Sequence, residues 1–177
     1  MNFKNKVFLL PDRLAHYRKP VFIELAKELK KHDKDLYLFY DPKDVKYSKI
    51  PIHNLDEIKC FYKLIKVRNL YLGSAIIFQI GIISKFIIKR PKILIAWGES
   101  QRISTFLLIL LARLFKTHVV LWTHGFYGNE KTIKRIWRTF FYKLADKLLI
   151  YGKHGTKLAK IFVQKKEIYC IGNSMLI

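Results

Sequence analysis

Apolar and polar positions along this chain alternate between a period of two and a period near 3.6. Residues 6–10 form a short β-rich run. Residues 20–31 follow as an amphipathic helix, with Pro20 at its first position and Phe22, Ile23, Leu25, Ala26 and Leu29 on one side. A second strand, 35–40, is closed by Asp41-Pro42. Between 43 and 69 the pattern is poor, with a partial alternation through Ile58, Cys60 and Tyr62 that suits a twisted or edge strand. From Pro91 the rhythm is regular: strands at 92–96, 118–122, 147–151 and 167–171, and helices at 103–115, 130–145 and 156–163. Strands alternating with helices of this length imply βαβ units, hence an α/β fold with a doubly wound, mainly parallel sheet in which 92–96, 118–122 and 147–151 are neighbours. Two longer apolar stretches, 75–88 and 103–115, are interrupted by Gln79, Lys85 and Arg113, fall short of the roughly 20 residues of a membrane span, and read as buried helices.

Five apolar strands break into polar or glycine-containing segments: 11–19, 97–100, 123–129, 152–155 and 172–174. In an open parallel sheet such breaks share the carboxyl edge, where ligands bind, so the polar chemistry of this chain is expected to converge there.

Length and charge narrow the picture. A chain of 177 residues accommodates one domain with a proper core and is too short for two full α/β domains. Thirty-four Lys and Arg against thirteen Asp and Glu give a formal charge of +21 on a chain that is half apolar, so the charge sits on a folded surface rather than a disordered tail. Such a surface attracts nucleic acid, phosphorylated substrates or the anionic face of a membrane. Cys60 and Cys170 lack any CxxC or Cys/His spacing and read as buried apolar fillers; neither a disulfide framework nor a metal site is indicated. The apolar run at 7–10 is too short for a signal-peptide core, which leaves the cytoplasm as the default.

His16-Tyr17-Arg18 places an imidazole, a phenol and a guanidinium just before a helix start, a natural site for an anion or sugar hydroxyls and equally suited to a solvated basic turn. At 97–100, Gly98, Glu99 and Ser100 offer a carboxylate and a hydroxyl at a strand-to-helix turn; Ser100 or Thr105 also suits a helix cap, and Glu99 stands out as an acid in a basic chain. Thr123-His124-Gly125 is the sharpest signal: a histidine directly after a buried strand, with Gly125 and Gly128 allowing close backbone approach, is placed for hydrogen bonding or proton transfer, although a lone histidine is more often structural. Lys131, Lys134, Arg135 and Arg138 share one face of the following helix, with Ile133, Trp137, Phe140 and Leu144 on a face expected to pack on the sheet. The next helix carries Lys153, Lys157 and Lys160. These basic faces suit an anionic membrane surface or a polyphosphate, or are simply solvated. No Walker loop, GxGxxG, HExxH or nucleophile elbow is present.

The order of these segments resembles the N-terminal, Rossmann-like half of GT-B glycosyltransferases, especially the family 4 group of bacterial polysaccharide and lipopolysaccharide enzymes. The residues that carry the resemblance are His16-Tyr17-Arg18 with 20–26, then Trp122-Thr123-His124-Gly125, and 145–151 ending in Ile171-Gly172-Asn173-Ser174. It implies an acceptor-binding domain at 1–171 and the start of an interdomain linker at 172–177, with the donor-binding domain absent. The first loop lacks the glycine pair of many members. By this resemblance His124 contacts the reacting groups, and His16, Tyr17, Arg18, Gly98, Glu99, Ser100, Thr123 and Gly125 shape the pocket for a glycan or lipid-linked acceptor. Lys131, Lys134, Arg135, Arg138 and Lys157 meet the inner face of the cytoplasmic membrane. A nucleotide sugar would bind only with a complementing donor domain, and no metal or other cofactor is implied. A non-catalytic anion- or membrane-binding protein on the same fold is the rival reading. A nucleic-acid-binding domain ranks third, because most aromatics here sit in apolar runs rather than beside exposed cations.

Overall fold

The computed structural model describes residues 5–11, 14–42, 60–72, 76–99 and 102–172. Nine strands and five helices are found among them: β1 Lys6–Leu10, α1 Lys19–Lys31, β2 Asp35–Tyr40, β3 Lys63–Lys66, β4 Arg68–Leu72, β5 Ile76–Ile80, α2 Ile82–Lys89, β6 Ile93–Trp97, α3 Ile103–Leu114, β7 His118–Thr123, α4 Thr132–Lys143, β8 Lys147–Ile150, α5 Lys153–Phe162 and β9 Glu167–Cys170. Seven strands form one sheet in the order β3-β2-β1-β6-β7-β8-β9, every pair parallel. The expected adjacency of 92–96, 118–122 and 147–151 is met, with Ile95 opposite Val120 and Val120 opposite Lys147. This is the α/β, Rossmann-like, mainly parallel architecture that the alternating pattern predicts.

Strand side chains alternate between two cores because successive residues point to opposite faces. On one face Val7, Leu9, Leu36 and Leu38 pack under α1 through Phe22 and Ala26. On the other, Phe8, Leu94, Leu121 and Leu148 pack under α2 to α5. Phe8 lies fully buried among Tyr37, Phe39 and Phe86, with ring centroids 4.7–6.2 Å apart.

The sequence expectation fails in three places. The apolar stretch 75–88 is not one helix: Gly81 adopts φ +81° and separates β5 from α2, and β5 pairs antiparallel with β4 in a separate hairpin. Gln79 is tied down there, its side-chain amide donating to Asn69 Oδ1 at 3.0 Å and its backbone N–H to Ser104 Oγ at 3.2 Å. Cys60 and Cys170 are exposed rather than buried, the first in a turn before β3 and the second at the end of the edge strand β9. Ile133, Trp137 and Phe140 of α4 do not pack on the sheet; they are exposed, and Phe141 and Tyr142 are the buried residues of that helix. The partial strand around Ile58 lies outside the described residues, and β3 begins only at Lys63.

Candidate functional site

The chain runs outward from β1 through β2 to β3, then returns to β6 on the other side of β1 and continues outward to β9. The strand order therefore reverses between β1 and β6, and at such a switch point the loops leaving the carboxyl ends diverge and open a crevice. The loop after β1 enters α1 through a 3-10 turn at His16–Arg18, with Arg18 at the helix N-cap and Pro20 in its first turn. From there the Arg18 guanidinium crosses the switch point and lies 4.5 Å over the Trp97 ring at the end of β6, 5.5 Å from Tyr17 and 6.0 Å from Tyr151. Cation over indole at this range is a favourable electrostatic contact, and it holds the guanidinium at the mouth of the crevice.

His124 follows β7 directly and is exposed. Its ring meets Trp97 edge-on at 5.7 Å and leans on Tyr151 at 4.9 Å, so two aromatic walls fix the imidazole while leaving it open to solvent. Trp97 at the end of β6, Trp122 one residue before the end of β7 and Tyr151 just past β8 form the floor beneath it with centroids 5.8–6.4 Å apart. Phe22 of α1 closes that floor edge-on against Trp122 at 6.2 Å.

A second layer of groups fixes the loop that carries His124. Thr123 Oγ1 shares a 2.6 Å hydrogen bond with the Tyr142 hydroxyl and accepts the Gly125 N–H at 3.2 Å. The Gly125 carbonyl accepts from Arg138 at 3.2 Å and from the Tyr142 hydroxyl at 3.4 Å. Glu130, its side chain only 6% exposed, pairs with Arg138 and accepts the N–H groups of Tyr127 at 2.8 Å and Gly128 at 3.0 Å. Burial works to raise the Glu130 pKa, yet these N–H groups and the Arg138 charge hold it below its ordinary value. Glu99 is half-buried nearby; burial first, and then the Glu99 charge, push the Tyr127 and Tyr142 phenols up. Two glycines make the packing possible. A Cβ on Gly98 would fall 2.7 Å from Thr123 Cβ, and one on Gly155 in the first turn of α5 would fall 2.5 Å from the His124 carbonyl oxygen.

The structure thus brings Tyr17, Arg18, Gly98, Glu99, Thr123, His124 and Gly125 to one edge. His16 lies in the same turn by its backbone, and Ser100 falls outside the described residues. The basic set divides: Lys131, Lys134 and Lys157 are exposed, Arg135 lies 5.5 Å over the Phe162 ring, and Arg138 is turned inward to Glu130 and Gly125. Sequence reasoning missed Glu130, Tyr142 and Gly155 as the groups that hold the His124 loop. A usable signal existed for Glu130, an acid next to a glycine loop in a strongly basic chain. Among the described residues no group of three or more His, Cys, Asp or Glu could hold a metal ion, and no helix is long and apolar enough to cross a membrane. The arrangement can present a fixed imidazole, a guanidinium and a carboxylate above an aromatic floor, which suits a polyhydroxylated or anionic ligand.

No protein-family model matches the chain, and no curated protein matches its sequence. Solved structures do share its fold. UGT89C1 of Arabidopsis thaliana superposes with a TM-score of 0.58 at 10% identity, over 98% of this chain and 51% of that one. UGT73P12 of Glycyrrhiza uralensis, complexed with glycyrrhetinic acid 3-O-monoglucuronide, gives 0.56 at 10% identity over 97% and 49%. A UDP-glucosyltransferase from Polygonum tinctorium capable of glucosylating indoxyl, solved with 3,4-dichloroaniline, gives 0.53 at 10% identity over 98% and 53%. The chain spans about half the length of these structures. At this identity the likeness speaks to architecture, and the architecture is that of a Rossmann-like unit of the GT-B glycosyltransferase fold.

Proposed function

We propose that the chain is the acceptor-binding half of a GT-B glycosyltransferase that builds a cell-surface polysaccharide or lipopolysaccharide, working peripherally on the inner face of the cytoplasmic membrane. The observation that carries this reading is the convergence of Arg18, Trp97, Glu99 and His124 at the switch point of a sheet whose architecture is found in UDP-glycosyltransferases. Within that fold the ordered residues Tyr17-Arg18, Trp122-Thr123-His124-Gly125 and 145–151 favour the family 4 group.

In this reading Trp97 and Tyr151 stay buried as the floor that fixes the Arg18 and His124 side chains, Arg18 takes an anionic or hydroxyl group as a fork donor, and Glu99 accepts from hydroxyls. His124 hydrogen-bonds the reacting hydroxyl. Arg138 and Tyr142 are positioning residues that donate to the Gly125 carbonyl, and Glu130 is one that holds Arg138 and the Tyr127 and Gly128 N–H groups. Nucleotide-sugar recognition belongs to a donor-binding half outside these 177 residues, in the same or a separate chain. Calorimetry tests this division. The chain is expected to show no micromolar binding of UDP-, GDP- or ADP-sugars and measurable binding of a lipid-linked saccharide; micromolar affinity for a nucleotide sugar would contradict it.

A further inference from the structure

Helices α2 to α5, which cover one face of the sheet, carry ten Lys and Arg and not one Asp or Glu. The same face exposes apolar side chains in register. On α3, Ile103, Leu107, Leu110 and Leu114 recur at helical spacing, Leu114 being 76% exposed. On α4, Ile133, Ile136, Trp137 and Phe140 form a second stripe, Ile133 being 82% exposed. Phe106 stacks on Trp137 at 5.7 Å and on Phe140 at 6.3 Å, which joins the two stripes into one patch. Exposed Lys131, Lys134 and Lys143 flank it. Beside it, between α4 and α5, a groove of about 320 Å³ has Ile136, Phe140 and Phe162 as its apolar lining and Arg135 and Lys143 as its cations.

We infer that this α3–α4 face docks on an anionic phospholipid bilayer, with the two apolar stripes entering the acyl boundary and the flanking cations meeting the headgroups. The inference deepens, and rests on, the peripheral membrane placement proposed above. A contiguous apolar patch of this kind marks an interaction surface. Charge selects the occupant. A second copy of a +21 chain would bring cations against cations with no carboxylate on these helices to pair them, whereas an anionic bilayer supplies both the apolar phase and the counter-charge. Topology adds a reason: α3 and α4 both start from the carboxyl edge, so Ile103 and Ile133 sit at the end of the helices nearest His124. A lipid-linked acceptor held in that bilayer is delivered to the crevice.

The test is flotation of the purified chain with vesicles of phosphatidylcholine plus phosphatidylglycerol and with phosphatidylcholine alone, together with quenching of tryptophan emission by brominated lipid. The chain is expected to float with the anionic vesicles, more weakly as salt is raised, with Trp137 quenched; Trp97 and Trp122 are buried. Ile133→Glu/Ile136→Glu alters only exposed positions, is expected to melt like the parent, and is expected to lower vesicle affinity by about tenfold or more. Equal flotation of parent and variant, flotation that ignores lipid charge, or a vesicle-free dimer abolished by the same variant would each overturn the inference. Flotation requires no sugar transfer, so its failure leaves the acceptor reading standing, and failure of transfer leaves this inference standing.

Discussion

Helices α1 and α4 hold corresponding places in the fold, each following a loop that feeds the carboxyl-edge crevice, and their outer surfaces are opposites. Along α1 the three exposed lysines each meet a carboxylate, Lys27 with Glu24 and Lys31 with Glu28 inside the helix at 2.7 Å, and Lys30 with Asp35 at the start of β2 at 3.4 Å. That is the surface of a helix adapted to water, and such pairs contribute little stability. α4 itself carries no carboxylate, and the part-buried ion pair of its Arg138 with Glu130, which stands just before the helix, is turned toward the His124 loop while Ile133 and Ile136 face outward. Charge on α4 is thus divided between an inner group that positions and outer groups left for an external anion. What separates the two surfaces is the sign and pairing of their charge, more than the amphipathic period, and on this difference rests the proposal that the α4 side docks while α1 faces solvent.

The largest difference between the two helices should appear when each loses one cation. Arg138→Ala leaves a nearly buried carboxylate without its counter-charge and the Gly125 carbonyl without a donor, and is expected to cost about 2–4 kcal/mol. At about 2–4 °C per kcal/mol for a domain of this size, thermal melting resolves that loss easily. Lys27→Ala on α1 is expected to leave the melting temperature unchanged, because its pair is exposed. Comparable losses in both variants would erase the comparison.

Crowding behind the His124 loop comes next. Gly155→Ala places a methyl 2.5 Å from the His124 carbonyl, and backbone cannot yield as a side chain tip can, so a loss of about 1–3 kcal/mol is expected by denaturant unfolding. Gly152→Ala, at the N-cap of α5 with nothing within 4 Å of the added carbon, is the uncrowded comparison and is expected to cost less than about 1 kcal/mol.

A smaller, pH-dependent effect belongs to Glu130. Its folded-state pKa is held below the ordinary 4.5, so the folded protein keeps the carboxylate ionised where the unfolded chain takes up a proton. The stability it contributes is complete above about 4.5 and declines as pH falls through the lower folded-state pKa. Glu130→Gln is expected to flatten the acid limb of a melting-temperature profile; an unchanged limb would place that titration elsewhere.

The sheet was legible from residues because each buried strand from Pro91 onward is short, apolar and followed by a helical period, and because its loops announce themselves by glycine and polar residues. The stretch 75–88 was not, since β5 and α2 are both mostly apolar, broken only by Gln79 in the first and by Ser84, Lys85 and Lys89 in the second, and only Gly81, whose φ of +81° suits glycine, marks the corner. His124 and Arg18 were legible as chemistry at strand ends. The aromatic floor was not: Trp97, Trp122 and Tyr151 look like ordinary core residues until the strand order places β6, β7 and β8 side by side. Arg138 misled for a related reason. It shares helical spacing with Lys134 and Arg135, and only the pairing with Glu130 eight residues earlier shows that it turns inward.

The central claim is that the carboxyl edge, rather than the basic helical surface, contacts the reacting acceptor. Sugar transfer to a water-soluble acceptor analogue, with a donor-binding half supplied, tests it most directly by comparing His124→Ala with Lys157→Ala. His124→Ala is expected to lower turnover by about tenfold or more, the equivalent of one lost hydrogen bond near the reacting groups, with Lys157→Ala close to the parent. Equal losses in the two variants, or full turnover without the His124 imidazole, would contradict the assignment of the site.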